Sequence, residues 1–267
     1  MINNIKKFGG IIPSEIDKIK IIKTKYNSNH LFFSHGRSAM IWLIKNHNFN
    51  ASILCAYTWP AIPRLMKKYS LKNYFFDFHE SKIDRLIDSI DGKILVVIPL
   101  FYGSRPILDY KKISNKYKDK IHLLLDGAQT SFAHLDYDIP TNGSILSCPH
   151  KSTSLNDGAI LYLKNYNKKM KINYSNLKEE FRFSKIKKES RQLMSLNSKI
   201  KETKGLTLIK SLEEKWKSDP PMKMNSKNIK KFIYIDELNH KKIRRRNFFF
   251  LKKILNNILP PIINFKN

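Results

Sequence analysis

Two residues of complementary chemistry lie at the ends of short apolar runs. The run from His122 to Leu125 leads to Asp126, and a second run, from Ser144 to Cys148, stops shortly before Lys151. Such runs are typical of buried parallel strands, and ligands bind at the carboxyl ends of those strands. The carboxylate and the amine could therefore meet on one small molecule. Each residue also has an ordinary explanation, since Asp after a strand is often a turn or cap residue and a lone Lys is usually solvated.

A candidate phosphate site lies in the sequence FSHGRSAM, between a short apolar stretch and a helical pattern. The turn from Ser34 to Ser38 would place unpaired backbone N–H groups at a helix N-terminus, where the helix dipole also favours an anion. Ser38 would add a hydroxyl group. Ser and Gly are also common capping residues, so the same turn has a purely structural interpretation.

An aromatic residue, Trp59, follows the next strand-like stretch, ILCAY, and Pro60 after it is suited to open a helix. Tryptophan most often packs in a core or an interface. If a planar ligand binds near these strand ends, Trp59 is the best candidate in the chain to stack on it.

Strand-like and helix-like stretches alternate along the first part of the chain, and this order predicts how the candidate residues are positioned. Alternation of this kind is typical of parallel strands joined by right-handed helical crossovers. We predict an α/β fold, with a mostly parallel sheet, helices on both faces and a C-terminal helical segment. The predicted parts are a polar, partly helical segment (1–29), the α/β domain (30–165) and a charged helical segment (166–267). The last part includes an amphipathic helix predicted from Asn228 to Leu259.

The composition indicates a globular chain and gives little support to a nucleic-acid or membrane partner. Of the 267 residues, 50 are Lys or Arg and 22 are Asp or Glu, which gives a formal net charge of +28. A charge of this size alone would suggest nucleic acid or an anionic membrane. The basic residues are scattered, however, and the one dense cluster runs from Lys241 to Arg246. We therefore expect no specific nucleic-acid binding and no membrane association.

The cysteines and the termini predict a cytoplasmic protein without a metal site. Cys55 and Cys148 lie in apolar stretches, have no metal-ligand spacing and suit a reducing compartment. The N-terminus lacks the apolar core of a signal peptide, and no apolar run approaches the length that spans a membrane.

Four segments together resemble the DegT/DnrJ family of sugar aminotransferases, which bind pyridoxal 5'-phosphate (PLP) and have the fold of aspartate aminotransferase (PLP-dependent transferase fold type I). FSHGRSAM resembles the family's Ser-Gly-x-x-Ala phosphate turn, and CAYTWPAI resembles its Pro-x-Tyr-Thr-aromatic segment. LLLDGAQT resembles the Glu-Asp-Ala-Ala-Gln signature, and SILSCPHKSTSLNDGAIL resembles the strand, lysine and glycine turn of the family. The resemblance covers about Phe32 to Leu163, so it implies that the α/β domain (30–165) binds PLP.

The resemblance implies a role for each candidate residue. Lys151 would form the Schiff base with the cofactor, and Asp126 would pair with the pyridinium nitrogen. Trp59 would stack on the cofactor ring. The other implied cofactor contacts are Gly36, Arg37 and Ser38 at the phosphate, Gln129 at the phenolic oxygen and Ser147 as a supporting hydroxyl.

The same resemblance implies a homodimer that transfers an amino group, with glutamate as the expected donor, to a nucleotide-linked keto-sugar in surface-polysaccharide biosynthesis. Three departures leave a second hypothesis open. The sequence NDGA (156–159) replaces the family's Gly-Glu-Gly-Gly, the later Asn-Tyr-Arg segment is not found, and residues 166–267 match only the start of a small C-terminal domain. On that hypothesis the chain is a truncated, catalytically inactive relative that retains the fold as a binding or scaffold protein.

Overall fold

A seven-stranded sheet forms the centre of the fold in the computed structural model, which describes residues 29–77, 82–100, 108–130, 132–153, 155–164, 177–196, 198–215 and 221–255. The strands are β1 (His30–Phe33), β2 (Ala51–Cys55), β3 (Lys72–Phe76), β4 (Ile94–Pro99), β5 (Ile121–Gly127), β6 (Gly143–Ser147) and β7 (Ala159–Leu163). Their order across the sheet is β1-β7-β6-β5-β4-β2-β3. β7 is antiparallel to its neighbours β1 and β6, and the other neighbouring strands are parallel.

Helices cover both faces of this sheet. They are α1 (Gly36–His47), α2 (Ala61–Lys68), α3 (Ile83–Asp88), α4 (Tyr110–Lys116), α5 (Leu177–Ser195), α6 (Lys199–Lys215), α7 (Ser226–Phe232) and α8 (Glu237–Leu255). Because side chains alternate along a strand, the buried residues of β4 contribute to two separate cores. Val96 packs in the core that includes α3 and α4, whereas Val97 packs in the core that includes α1 and α2. The predicted α/β fold with a mostly parallel sheet is therefore confirmed.

The C-terminal part is helical as predicted, but the single helix predicted from Asn228 to Leu259 is wrong. The chain forms α7 and α8, separated at residues 233–236. Asp236 begins the second helix, because its Oδ1 accepts a hydrogen bond from the backbone N–H of Asn239 at 2.9 Å. Apart from Asn29, the predicted N-terminal segment lies outside the described residues, as does Leu259. Among the described helices, none combines the length and the apolar character needed to cross a bilayer.

The segment before α7 attaches the C-terminal part to the edge of the sheet. The backbone N–H of Ser34 donates to the carbonyl of Met222 at 3.0 Å, and that of Met224 donates to the carbonyl of Phe32 at 3.4 Å. This extra pairing lies beside β1 and leads directly into the turn before α1. The C-terminal helices are therefore anchored close to the carboxyl ends of the strands.

Two histidines lie close together at the C-terminal end of α1: His47, the last residue of this helix, is half-buried, and His122 of β5 is buried. The ring of His122 in β5 lies 4.7 Å from the ring of His47, measured between centroids, and its Nε2 lies 2.9 Å from the Ser144 hydroxyl oxygen. Burial, followed by the neighbouring His47, lowers the pKa of His122 to about 3. Burial also lowers the pKa of His47. Both rings are therefore neutral at pH 7.

We expect the free energy of unfolding to decrease as pH falls below about 6.5, because the unfolded chain gains a proton that the buried His122 does not accept. Between that value and a folded pKa of about 3, one such group costs roughly 1.4 kcal/mol per pH unit. His122→Gln should reduce this slope in urea denaturation between about pH 5 and 7. Ser144→Ala removes the hydrogen bond between His122 and Ser144 but keeps the titrating ring, so the slope of this variant should equal that of the wild type. Equal slopes for His122→Gln and the wild type would contradict the prediction.

Candidate functional site

The predicted site residues follow strands that end at one edge of the sheet. β5 and β6 are parallel, and β1 runs in the same direction because β1 and β6 are both antiparallel to β7. β2 shares this direction through its parallel pairing with β4. Located at these carboxyl ends are Asp126 in β5, Lys151 after β6, Gly36 after β1 and Trp59 after β2. This edge is where ligands bind in open α/β sheets.

Asp126 directs its side chain to the face of the sheet that α1 and α2 cover. It pairs with Leu146 of β6, and Leu146 packs in the core of those two helices. The backbone N–H of Ala128 donates to Asp126 Oδ1 at 3.0 Å. Burial raises the pKa of the carboxyl group, while this hydrogen bond and the charge of Lys151 lower it in part. A cationic ligand at this position would offset the cost of burying the carboxylate.

Lys151 lies in a short 3-10 turn (Pro149–Lys151) directly after β6. The backbone N–H of Lys151 closes the turn by donating to the Cys148 carbonyl at 3.0 Å. The side chain is half-buried. Burial raises the pKa of both Asp126 and Cys148, and the charge of Lys151 lowers both values in part. β5 and β6 are adjacent parallel strands, so the predicted carboxylate and the predicted amine lie at the same edge of the sheet.

The N-terminus of α1 opens onto the same site, next to Cys148. A Cβ atom at Gly36 would lie 3.3 Å from Cys148 Sγ, and the backbone N–H of Gly36 donates to this sulfur. Any larger residue at this position would press on the thiol. Burial raises the pKa of Cys148 to about 11, so the group at the helix N-terminus is a neutral thiol at pH 7.

The other two residues of the predicted phosphate turn differ in their surroundings. Arg37 is half-buried. The burial of His35 is the main cause that lowers the pKa of this histidine, and the charge of Arg37 is the second cause. Ser38 is fully buried, and its Oγ accepts a hydrogen bond from the backbone N–H of Met222 at 3.0 Å. Arg37 therefore adds positive charge near the helix N-terminus, whereas Ser38 anchors the C-terminal segment to the turn.

Trp59 lies in the connection between β2 and α2, and 71% of its surface is exposed. Tyr57, two residues earlier, is also exposed. Because α2 packs in the same core as α1, this connection leads onto the face of the sheet that carries Asp126. An exposed aromatic ring is therefore available to a ligand on that face.

Gln129 and Ser147 do not join the other predicted residues. Gln129 is exposed in the turn after β5. Ser147 pairs with Gly127, one position beyond the Asp126 pair, so strand alternation places its side chain on the opposite face of the sheet from Asp126. The Ser147 hydroxyl is buried there and has no hydrogen-bond partner among the described residues.

Sequence analysis did not identify the residues that α5 contributes to the site. Arg191 donates to the carbonyl of His150 at 2.6 Å and to the carbonyl of Leu155. His150 comes directly before Lys151, and Leu155 comes four residues after it. Arg191 therefore binds both ends of the segment that begins with Lys151. The helix is rich in charged residues, which is also typical of a solvated helix, so its sequence gave no separate signal for this contact.

A buried polar network supports the connection between β6 and β7. Asn228 of α7 donates to the Asp157 carboxylate and also lies 3.3 Å from the Ser184 hydroxyl of α5. Burial raises the pKa of Asp157 to about 6, despite the hydrogen bond from Asn228. His150 donates from Nδ1 to the Gly158 carbonyl at 2.5 Å. The NDGA sequence, where this chain departs from the resembled family, therefore supplies the carboxylate that joins α7 to the site.

Positive charge predominates around the site. Burial holds the pKa of both His35 and His150 well below the usual value, so these imidazoles are neutral at pH 7. The charged groups are the cations Arg37, Lys151, Lys187 and Arg191 and the carboxylates Asp126 and Asp157. This arrangement can hold an anionic group near the N-terminus of α1 and a protonated nitrogen at Asp126. Within the described part of the chain, no three His, Cys, Asp or Glu side chains are grouped to hold a metal ion.

Comparison with known proteins finds distant structural similarity only. No family model and no curated protein matches this chain. A PLP-bound C-S lyase from Staphylococcus hominis aligns over 53% of this chain and 43% of its own, at 10% identity and a TM-score of 0.41. Serine palmitoyltransferase from S. paucimobilis, with bound PLP and myriocin, aligns over 52% of this chain and 40% of its own, at 14% identity and a TM-score of 0.40.

A third structure aligns over a larger part of the chain. This protein, named as a histidinol-phosphate aminotransferase from Erwinia carotovora atroseptica, matches 70% of this chain and 62% of its own, at 12% identity and a TM-score of 0.40. The aligned part of this chain spans less than half the length of the lyase and the palmitoyltransferase and less than two thirds of the aminotransferase.

Asp126→Asn should raise the free energy of unfolding of the ligand-free protein at pH 7. The amide still accepts the hydrogen bond from Ala128, but a carboxylate with a burial-raised pKa is removed. A carboxyl group whose pKa is higher in the folded than in the unfolded chain lowers the free energy of unfolding when it is ionised. This loss of stability disappears as pH falls towards the pKa of the group in the unfolded chain. The gain should therefore shrink on acidification, as urea denaturation can measure. Asp91→Asn, at an exposed position, is the matched control and should show no gain. A gain that grows on acidification would contradict this explanation.

Proposed function

We propose that this chain binds PLP at the carboxyl edge of its sheet and acts as an aminotransferase. The observation that carries the proposal is that Asp126, Lys151 and the N-terminus of α1 all lie at the carboxyl ends of strands along one edge of the sheet. This set of groups fits the cofactor, since it offers a carboxylate for a protonated ring nitrogen, an amine for an aldehyde and a helix N-terminus for a phosphate. PLP, when bound, supplies an electron sink that lets an amino group pass between an amino acid and a keto acceptor.

Each residue would make a distinct physical contribution. Asp126, when ionised, would keep the proton on the ring nitrogen through a charge-assisted hydrogen bond. Lys151 would supply the amine for covalent attachment and, once released, would carry a proton to or from the substrate carbon. Gly36 and Arg37 would bind the phosphate through the helix N-terminus and a guanidinium group. Trp59 would limit the tilt of the ring by stacking.

For the reaction we propose amino transfer from an amino acid, with glutamate as the donor, to a nucleotide-linked keto-sugar in surface-polysaccharide biosynthesis. The resemblance of four segments to the DegT/DnrJ family supports this substrate class. The excess of positive charge at the site also suits the carboxylates of a donor and the phosphates of a nucleotide. We further propose a homodimer, because Leu238, Phe249 and Phe250 of α8 expose apolar surface that a second subunit would cover. We also propose a cytoplasmic location, because Cys55 and Cys148 are free thiols, which suits a reducing compartment.

The second hypothesis is a catalytically inactive relative that retains the fold as a binding or scaffold protein. Two contacts at the N-terminus of α1 favour it. The Gly36 N–H donates to Cys148 Sγ, and the Ser38 hydroxyl accepts from the Met222 N–H. Both groups would otherwise be available to a phosphate. On this hypothesis PLP would not react selectively with Lys151.

We expect borohydride reduction of the PLP-treated protein, followed by peptide mapping, to place the pyridoxyl label on Lys151. The ring and phosphate contacts from Asp126, Gly36 and Arg37 would hold the aldehyde beside this one amine, so it should react far ahead of the other lysines. A label spread over many lysines would contradict the aminotransferase proposal and favour the scaffold hypothesis.

Lys151→Ala should abolish transamination and retain non-covalent PLP binding, because the ring and phosphate contacts remain. Asp126→Ala should weaken PLP binding by about ten- to a hundredfold through loss of the charge-assisted hydrogen bond, and should lower activity as well. Absorbance titration and a glutamate-dependent transamination assay measure the two effects. Lys93→Ala, an exposed lysine before β4, is the control and should change neither. Transamination that persists in Lys151→Ala would rule out the proposed role of this residue.

A further inference from the structure

One lysine of α5, Lys187, lies between two residues that are anchored at the candidate site. Three residues before it, Ser184 is joined through Asn228 to Asp157. Four residues after it, Arg191 donates to the carbonyl of His150. Residues three and four apart lie on the same face of an α-helix. Lys187 therefore faces the loop that carries Lys151.

The surroundings of Lys187 come from three separate segments of the chain. Burial is the main cause that lowers the pKa of His35, just before α1, and of His150, beside Lys151. The charge of Lys187 is a further cause for both histidines. The same charge acts on Cys148, whose sulfur accepts the N–H of Gly36, and on Asp157 in the turn before β7. Lys187 is half-buried, whereas the next residue, Lys188, is exposed. The loop after β6 lies against the turn before α1, because the Gly158 N–H donates to the Ser34 carbonyl at 2.8 Å, so the face of α5 that carries Lys187 lies close to the N-terminus of α1.

We propose that Lys187 is a phosphate-binding residue of this site, which reaches from α5 to the N-terminus of α1 and binds the cofactor phosphate together with Arg37. The inference rests on the proposed function, because the phosphate is that of PLP. An ammonium group is a compact charge with three donors, and a helix N-terminus adds its dipole to the attraction for an anion. Arg191 is not available for this role, because its guanidinium donates to two backbone carbonyls.

Titration of the full-length protein with PLP and with pyridoxal, which lacks the phosphate, tests this role. Lys187→Gln should weaken PLP binding by about ten- to a hundredfold and leave pyridoxal binding within about twofold of the wild type. Lys187→Arg keeps the charge and should restore most of the PLP affinity. Lys188→Gln makes the same charge change on an exposed position of the same helix and should leave both affinities unchanged.

An equal loss of PLP and pyridoxal affinity in Lys187→Gln would overturn the inference, since it would indicate a contact to the ring or a disturbed fold. An unchanged PLP affinity would overturn it as well, including the case in which Lys187 binds a phosphate of the substrate instead. If far-UV circular dichroism shows that Lys187→Gln perturbs the fold, Lys187→Met, which retains the apolar stem, serves for the same comparison.

Inorganic phosphate alone provides a second measurement that does not depend on the aminotransferase proposal. Phosphate should raise the thermal unfolding temperature of the wild type and of Lys188→Gln, but not that of Lys187→Gln. If this pattern appears and PLP does not label Lys151, the anion site stands and the proposed function fails. If PLP labels Lys151 and Lys187→Gln responds to phosphate and PLP like the wild type, only the inference about Lys187 fails. A wild type that responds to neither ligand would overturn both.

Discussion

The buried guanidinium of Arg191 is the contact on which the arrangement of the site depends. It donates to the carbonyls of His150 and Leu155, and so joins α5 to the loop that begins with Lys151. Burial lowers the pKa of Arg191 to about 10, which leaves the group charged at pH 7. Removing it would leave two buried carbonyl groups without their donor and would weaken the attachment of the helix to this loop. The position of the candidate catalytic amine is therefore set by a helix that lies outside the sheet.

The sheet and the edge that carries the candidate site could be predicted because local sequence patterns indicate both. The runs HLLL and ILVVIP are almost entirely apolar, as expected for strands buried on both faces, and they lie in β5 and β4. In a parallel sheet, the residues that follow such runs meet at one edge. Asp126 and Lys151 were identified for that reason. β5 and β6 are adjacent parallel strands, so Asp126 and the turn with Lys151 lie at the same edge of the sheet.

Other features depended on information that no local pattern carries. β6 is buried on both faces, so its sequence does not show which face Ser147 occupies, and pairing with β5 decides this. Residues 233–236 contain neither Gly nor Pro, so the break between α7 and α8 had no strong signal except the capping residue Asp236. Lys187 and Arg191 belong to a helix rich in charged residues, and its sequence does not show which side meets the loop after β6, since tertiary contacts such as that of Arg191 with the His150 carbonyl decide this.

The contact between Ser38 and Met222 can form only late in the synthesis of the described chain. The two residues are 184 positions apart, and Met222 also accepts the Ser34 N–H at 3.0 Å. Translation at about 5–20 residues per second separates their appearance on the ribosome by roughly 10 to 40 seconds. Every strand of the sheet has been synthesised before Met222 emerges. The turn before α1 is thus synthesised before β2 to β7, but it acquires its contact with Met222 only after the seven strands of the described sheet have been made, so the candidate phosphate turn is completed late.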